Sequence, residues 1–112
     1  MDEKREGVDH FVGSDNVFAD LGIDNPEEAL LKAQLAYNIS TIIEHRQLSY
    51  RQTADLLGIE QAEVAALVRG YLTEFSVDRL MRFLTALDRD VQIVIRPKPA
   101  TRERGLVSVV EQ

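Results

Sequence analysis

The 112-residue sequence contains no cysteine and no tryptophan, and only two histidines and three prolines. Without cysteine there is no disulfide framework and no thiolate metal site, and two isolated histidines do not make a zinc site alone. The longest apolar runs are four or five residues, which is too short for a transmembrane helix. The first six residues mix acids and bases and precede no apolar stretch, unlike a secretory signal. We therefore expect a cytoplasmic protein that uses no cofactor and no metal.

Charge is distributed unevenly along a chain whose length suits one domain with a single core. Residues 1–26 hold seven acids and two bases, a net charge of -5 out of the total of -6. The segment 27–100 has a net charge of -1, and the last twelve residues are neutral. Because the body of the chain is nearly neutral, any binding of nucleic acid must come from locally placed groups.

Helix-start signals mark the first and the last helix of the central part of the chain. Asn25-Pro26 can cap and begin a long helix that runs to about Arg46. Ser76 opens a final helix, whose apolar face is formed by Leu80, Phe83, Leu84 and Leu87. With a helical turn near 16–22 and the two short helices described next, the pattern predicts five helices around one core.

The two short helices are separated by a single glycine. Ser49 and Gln52 have the spacing of a capping box, and Gly58 can end this helix in the left-handed conformation. A second helix follows at once, from about Glu60 to Val68. Two short helices joined by a tight turn are the helix-turn-helix arrangement.

After residue 90 the apolar period changes to two. Val91, Ile93 and Ile95 alternate with less apolar neighbours until Pro97, which predicts a β-strand over 91–96. A lone strand leaves its backbone groups unpaired, so it needs a partner. The candidates are the same strand of a second subunit, a strand of another protein, or a hairpin with residues 106–110. We favour antiparallel pairing of two copies, which would bury Val91, Ile93 and Ile95 and make the protein a homodimer.

Several segments together resemble a known family. Residues 48–59, followed by Gln61, Val64, Leu67, Arg69 and Gly70, resemble the Cro/repressor-type (XRE) helix-turn-helix family. Residues 16–22, 25–29, 75–80 and 90–97 look like its subgroup of HigA-like antitoxins. The resemblance implies a lambda-repressor-like domain at 25–90, between an acidic N-terminal arm (1–24) and a C-terminal strand and tail (91–112). It also implies a homodimeric repressor that binds operator DNA, neutralises a RelE/HigB-like toxin and represses their shared operon.

The resemblance assigns roles to individual residues. Its base-contacting positions fall at Gln61, Ala62 and Ala66. A glutamine can pair with adenine through two hydrogen bonds, and an alanine can touch a thymine methyl group. Its phosphate-contacting positions, which orient the helix without discriminating sequence, fall at Ser49, Tyr50, Arg51, Arg69, Tyr71 and Thr73.

The sequence departs from the family pattern at four positions. Tyr50 replaces the usual glutamine, and Ala65 replaces the usual serine. Glu60 and Glu63 place carboxylates where phosphates are expected to lie, although they can also favour a helix amino terminus or accept a hydrogen bond from cytosine. A degenerate helix-turn-helix that serves only protein contacts is the alternative that these acids keep open.

The acidic N-terminal arm has three interpretations. Much of it resembles a solvated, disordered terminus. Its apolar turn, with Val17, Phe18 and Leu21, can instead contact the basic surface of an RNA-cleaving toxin. The same turn can also pack on the long helix of its own domain.

Catalysis is not expected, because no nucleophile motif, glycine-rich phosphate loop or pair of ligand-spaced histidines is present. The sequence therefore predicts a DNA-binding repressor of the antitoxin type. The alternatives are a protein-interaction module and a stand-alone regulator of the same family.

Overall fold

The computed structural model describes residues 25–111, in which there are four helices: α1 (Pro26–His45), α2 (Tyr50–Leu57), α3 (Gln61–Arg69) and α4 (Val77–Ala86). Residues 32–94 form one compact unit, and residues 25–31 and 95–111 belong to a second. The predicted mainly helical fold is confirmed for these residues. The fifth helix, expected near 16–22, lies outside the described part of the chain.

Local hydrogen bonds explain where α1 and α4 begin. Asn25 adopts a positive φ of 52°, and its side-chain amide donates to a carboxylate oxygen of Glu28 over 2.7 Å. Helix α1 therefore begins where the sequence predicts, and this side-chain hydrogen bond joins Asn25 to its first turn. Ser76 caps α4 in the expected way, because its hydroxyl oxygen accepts from the Arg79 backbone N–H over 3.0 Å.

The core of residues 32–94 takes side chains from all four helices and from the loop that precedes α4. Ile39, Val64 and Leu80 are fully buried, and Phe75 lies edge-on to Phe83 with ring centroids 5.9 Å apart. The other buried apolar side chains are Leu35, Ala36, Ile42, Ile43, Ala54, Leu67, Leu84 and Leu87. This shared core fixes the short helices α2 and α3, which are too short to be stable alone.

The predicted β-strand over 91–96 is not formed in this chain. No residue between 25 and 111 belongs to a strand, and no hairpin joins 91–96 to 106–110. Ile93 and Ile95 are 75% and 92% exposed, and Val91 is also exposed. The alternating pattern favours an extended backbone, but a strand exists only where a second strand supplies hydrogen bonds. The single chain supplies none at this segment within its described residues.

Candidate nucleic-acid interface

The amino terminus of α2 is fixed by the capping box that the sequence predicts. The Ser49 hydroxyl oxygen accepts from the Gln52 N–H over 3.0 Å, and the Gln52 side-chain oxygen accepts from the Ser49 N–H over 2.8 Å. The buried Thr53 hydroxyl donates to the Ser49 carbonyl over 2.8 Å. Ser49, Tyr50 and Arg51 are exposed at this end of α2. The Ser49 hydroxyl proton is not used by the cap, so it can still be donated to a phosphate oxygen.

Gly58 makes the turn between α2 and α3. Its φ of 70° and ψ of 37° are left-handed, and its N–H donates to the Ala54 carbonyl over 2.8 Å. Ala54 is buried, and α2 and α3 pack against each other. The small side chain at 54 allows the two helices to pack closely, and Gly58 ends α2 in the left-handed conformation that the sequence predicts.

Helix α3 has a buried face and an exposed face. Val64 and Leu67 are buried, whereas Gln61 and Ala62 are exposed and Ala66 is half-buried. The predicted base-contacting positions thus lie away from the core or at its edge. In this arrangement the first turn of α3 presents the Gln61 amide and the Ala62 methyl group to the surroundings, and Ala66 follows one turn later.

Glu63 is engaged within the chain. One of its carboxylate oxygens accepts from the Glu60 backbone N–H over 3.1 Å, and the other accepts from the Arg79 guanidinium over 2.9 Å. The Arg79 hydrogen bond, followed by that from Glu60, holds the pKa of Glu63 below its ordinary value, so the carboxylate is charged and paired. The sequence analysis expected the Glu63 carboxylate to lie near a DNA phosphate. In the structure its charge is balanced by the Arg79 guanidinium.

Arg79 is the residue of this site that the sequence analysis missed. Its guanidinium carbon lies 5.0 Å from the centroid of the Phe75 ring and 5.4 Å from that of Phe83. Sixteen residues separate Arg79 from Glu63 in the chain, so no local rule pairs them. The sequence did contain one signal: Phe75 and Phe83 lie four residues before and after Arg79, a spacing at which side chains can be neighbours along a helix.

The carboxyl end of α3 leads into the loop that holds the remaining predicted contacts. Gly70 is left-handed with a φ of 84°, and the Tyr71 N–H donates to the Ala66 carbonyl over 2.9 Å. Arg69, Tyr71 and Thr73 are exposed around this turn, and Tyr71 is 67% exposed. Turning the chain back at Gly70 places three of the predicted phosphate contacts beside the end of α3.

Part of the predicted site lines one open recess of about 490 Å³. The recess brings together Ala62, Glu63 and Ala66 of α3, residues 71 and 73–75 of the loop, and Arg79 of α4. Ser49, Tyr50, Arg51 and Gln61 are not among its lining residues. The recess thus contains two of the predicted base-contacting positions together with Tyr71 and Thr73, and the predicted contacts at the start of α2 lie outside it.

The predicted toxin contacts Val17, Phe18 and Leu21 are outside the residues that the structure describes.

No helix between residues 25 and 111 has the length and apolar character needed to span a membrane. Over the same range, no three histidine or acidic side chains are grouped so that they could hold a metal ion.

Comparisons with known proteins agree with this geometry. A family model described as a helix-turn-helix domain matches residues 17–96. A solved structure whose name assigns it to the XRE family of transcriptional regulators is similar in fold, with a TM-score of 0.74 and 46% sequence identity. The match covers 77% of this chain and 97% of that one. No curated protein matches the chain.

Proposed function

This chain belongs to the XRE-type helix-turn-helix family of transcriptional regulators, and we propose that it is a sequence-specific repressor that contacts bases through α3. The observation that carries the proposal is the division of α3 into a buried face and an exposed face. The exposed face is free to enter a major groove, which admits one α-helix. In the proposal, Ser49, Tyr50 and Arg51 contact phosphate at the start of α2, and Arg69, Tyr71 and Thr73 do so at the end of α3.

Gln61 is the polar side chain on this face that can discriminate between bases. Its amide can donate to and accept from one adenine, which is worth about 1–3 kcal/mol of discrimination. Ala62 and Ala66 add only apolar contact, for which a thymine methyl group is the natural partner. The sequence places two carboxylates, Glu60 and Glu63, near the expected phosphates. The ion pair with Arg79 supports the proposal, because it balances the negative charge of Glu63.

Fluorescence anisotropy tests this function with the full chain, its own upstream DNA and a scrambled duplex of equal length, each at two salt concentrations. We expect binding to the upstream DNA to be about a thousandfold tighter than to the scrambled duplex. Gln61→Ala should cost about 1–3 kcal/mol on the upstream DNA and relax specificity at one base pair. Thr85→Ala is the control, because Thr85 is an exposed polar residue of α4 outside the predicted contact positions. Equal, salt-sensitive binding to both duplexes would refute base-specific binding and favour the protein-interaction module.

We further propose that the repressor acts as a dimer joined through residues 91–96. A single helix-turn-helix offers few base contacts, and two copies can occupy half-sites one helical turn apart. The exposure of Val91, Ile93 and Ile95 supports this proposal, since antiparallel pairing would cover them and satisfy their backbone groups. Sedimentation of the full chain should show a dimer at micromolar concentration, and Ile93→Lys should weaken it, because a charge would be buried at the pairing face. A chain truncated after Asp90 that remains dimeric would contradict the proposal.

We also propose that the protein is an antitoxin of a RelE/HigB-like toxin. The net charge of -5 over residues 1–26 supports it, because RNA-cleaving toxins present basic surfaces. In this proposal Val17, Phe18 and Leu21 are the apolar anchors of the acidic N-terminal arm. The product of the neighbouring gene should bind the full chain and lose most of that affinity when residues 1–24 are deleted. An unchanged affinity would remove the role of the arm, and the absence of a neighbouring toxin gene would favour a stand-alone regulator.

A further inference from the structure

The first turn of α3 contains Gln61 and Ala62, and both are exposed. The core holds α3 farther along, at Val64 and Leu67. Glu63 ties the first turn to the rest of the unit, because its carboxylate accepts from the Glu60 N–H and from the Arg79 guanidinium. Among the ion pairs between residues 25 and 111, this is the one that joins two helices.

Arg79 is itself held on three sides. Its backbone N–H donates to the Ser76 hydroxyl at the cap of α4, and its guanidinium lies near the rings of Phe75 and Phe83. Both rings are buried, so the platform under the guanidinium is part of the core. Only 35% of the Arg79 side chain is exposed, so the ion pair is partly shielded from water. A planar, anchored guanidinium fixes the direction of its hydrogen bond, which a flexible ammonium group does not.

We propose that Arg79 is a positioning residue for base recognition, which holds the first turn of α3 in the orientation that Gln61 needs; this rests on the proposed DNA-binding function. Bidentate recognition of a base demands accurate placement of the amide, whereas phosphate contacts tolerate small shifts of a helix. Loss of the ion pair should therefore reduce specific binding more than non-specific binding.

The test uses the full chain and the duplex that the wild-type protein selects from a randomised library, with a scrambled duplex for comparison. Arg79→Met keeps an unbranched stem that can pack on the two rings. Glu63→Gln keeps an oxygen that can accept from the Glu60 N–H, but it removes the charge and replaces the oxygen that accepts from Arg79 with an amide donor. Arg82→Met is the matched control, because Arg82 lies on the same helix and pairs with Asp78 over 3.0 Å at the exposed surface.

We expect Arg79→Met to weaken binding to the selected duplex about tenfold or more and binding to the scrambled duplex less than about threefold. Glu63→Gln should change the ratio of the two affinities in the same direction. The double variant should discriminate between the duplexes as well as the poorer single variant does, because both substitutions remove the same Glu63–Arg79 ion pair. Arg82→Met should leave the ratio unchanged. Melting temperatures of all variants, measured without DNA, identify effects that come from stability alone.

The outcomes separate this inference from the function on which it rests. A wild-type protein that selects no preferred duplex refutes the proposed function, and the inference with it. A wild-type protein that discriminates, together with Arg79→Met and Glu63→Gln variants that melt earlier but keep the same affinity ratio, refutes the inference alone. If Arg79→Met does not fold, the ratio for Glu63→Gln decides.

Discussion

Substitution of Gly58 tests the geometry of the turn between α2 and α3. The left-handed backbone at this position costs an L-residue about 1–2 kcal/mol. A Cβ added here would have no atom within 4 Å, so no steric clash adds to that cost. Alanine also restricts the unfolded chain, which offsets about 0.4–1 kcal/mol. Gly58→Ala should therefore lower the free energy of unfolding by about 1 kcal/mol.

Urea unfolding followed by circular dichroism measures this difference. Gly105→Ala is the control, because Gly105 also has open space but no positive φ, and its effect should stay within about 0.5 kcal/mol. Gly58→Asn should cost less than Gly58→Ala, since asparagine tolerates the left-handed region, and Gly58→Val should cost more. A Gly58→Ala variant more stable than the wild type would refute the backbone argument, and a loss above about 4 kcal/mol would show that side-chain packing dominates.

Three further predictions follow from the core, a helix cap and the ion pair. Leu80→Ala should cost about 2–5 kcal/mol in urea unfolding, because Leu80 is fully buried, and a loss below about 1 kcal/mol would contradict this packing. Ser76→Ala should cost about 1 kcal/mol in the same assay, and Ser76→Gly should cost only a few tenths. The pKa of Glu63 is lowered by Arg79 from the ordinary 4.5, so the ion pair stabilises the fold above that pH and ceases to do so as the pH falls through the lowered pKa. The wild type should therefore unfold at higher urea than Glu63→Gln near neutral pH, and a difference that does not shrink as the pH is lowered below 4.5 would contradict this.

Local sequence rules predicted the helical part of the fold well. The capping box of Ser49 and Gln52 and the left-handed Gly58 depend on residues within ten positions of each other, and the structure confirms both. The second short helix, expected from about Glu60 to Val68, is present as α3 with ends that differ by one residue. Short-range hydrogen bonds and backbone preferences are readable from the sequence, because the chain brings those groups together wherever it forms a helix.

Two features depended on groups that are distant in the sequence. The period of two over 91–96 indicated a strand, but periodicity identifies the faces of a strand and not its partner. The charge of Glu63 was judged by its position on α3, whereas its environment is decided by Arg79, which approaches it only after α4 packs on the core. The predicted base contacts at Gln61, Ala62 and Ala66 remain predictions, because they depend on a duplex outside the chain.

The order of the helices has a consequence for folding kinetics. Helices α2 and α3 are joined by a three-residue connection and pack directly on each other, and a loop of only seven residues separates α3 from α4. Proteins dominated by contacts between residues that are near in sequence fold in microseconds to milliseconds, because little loop entropy is lost before contacts form. After a transient unfolding event, the unit formed by residues 32–94 should therefore recover its α3 surface far faster than the ribosome, at about 5–20 residues per second, could supply a new copy.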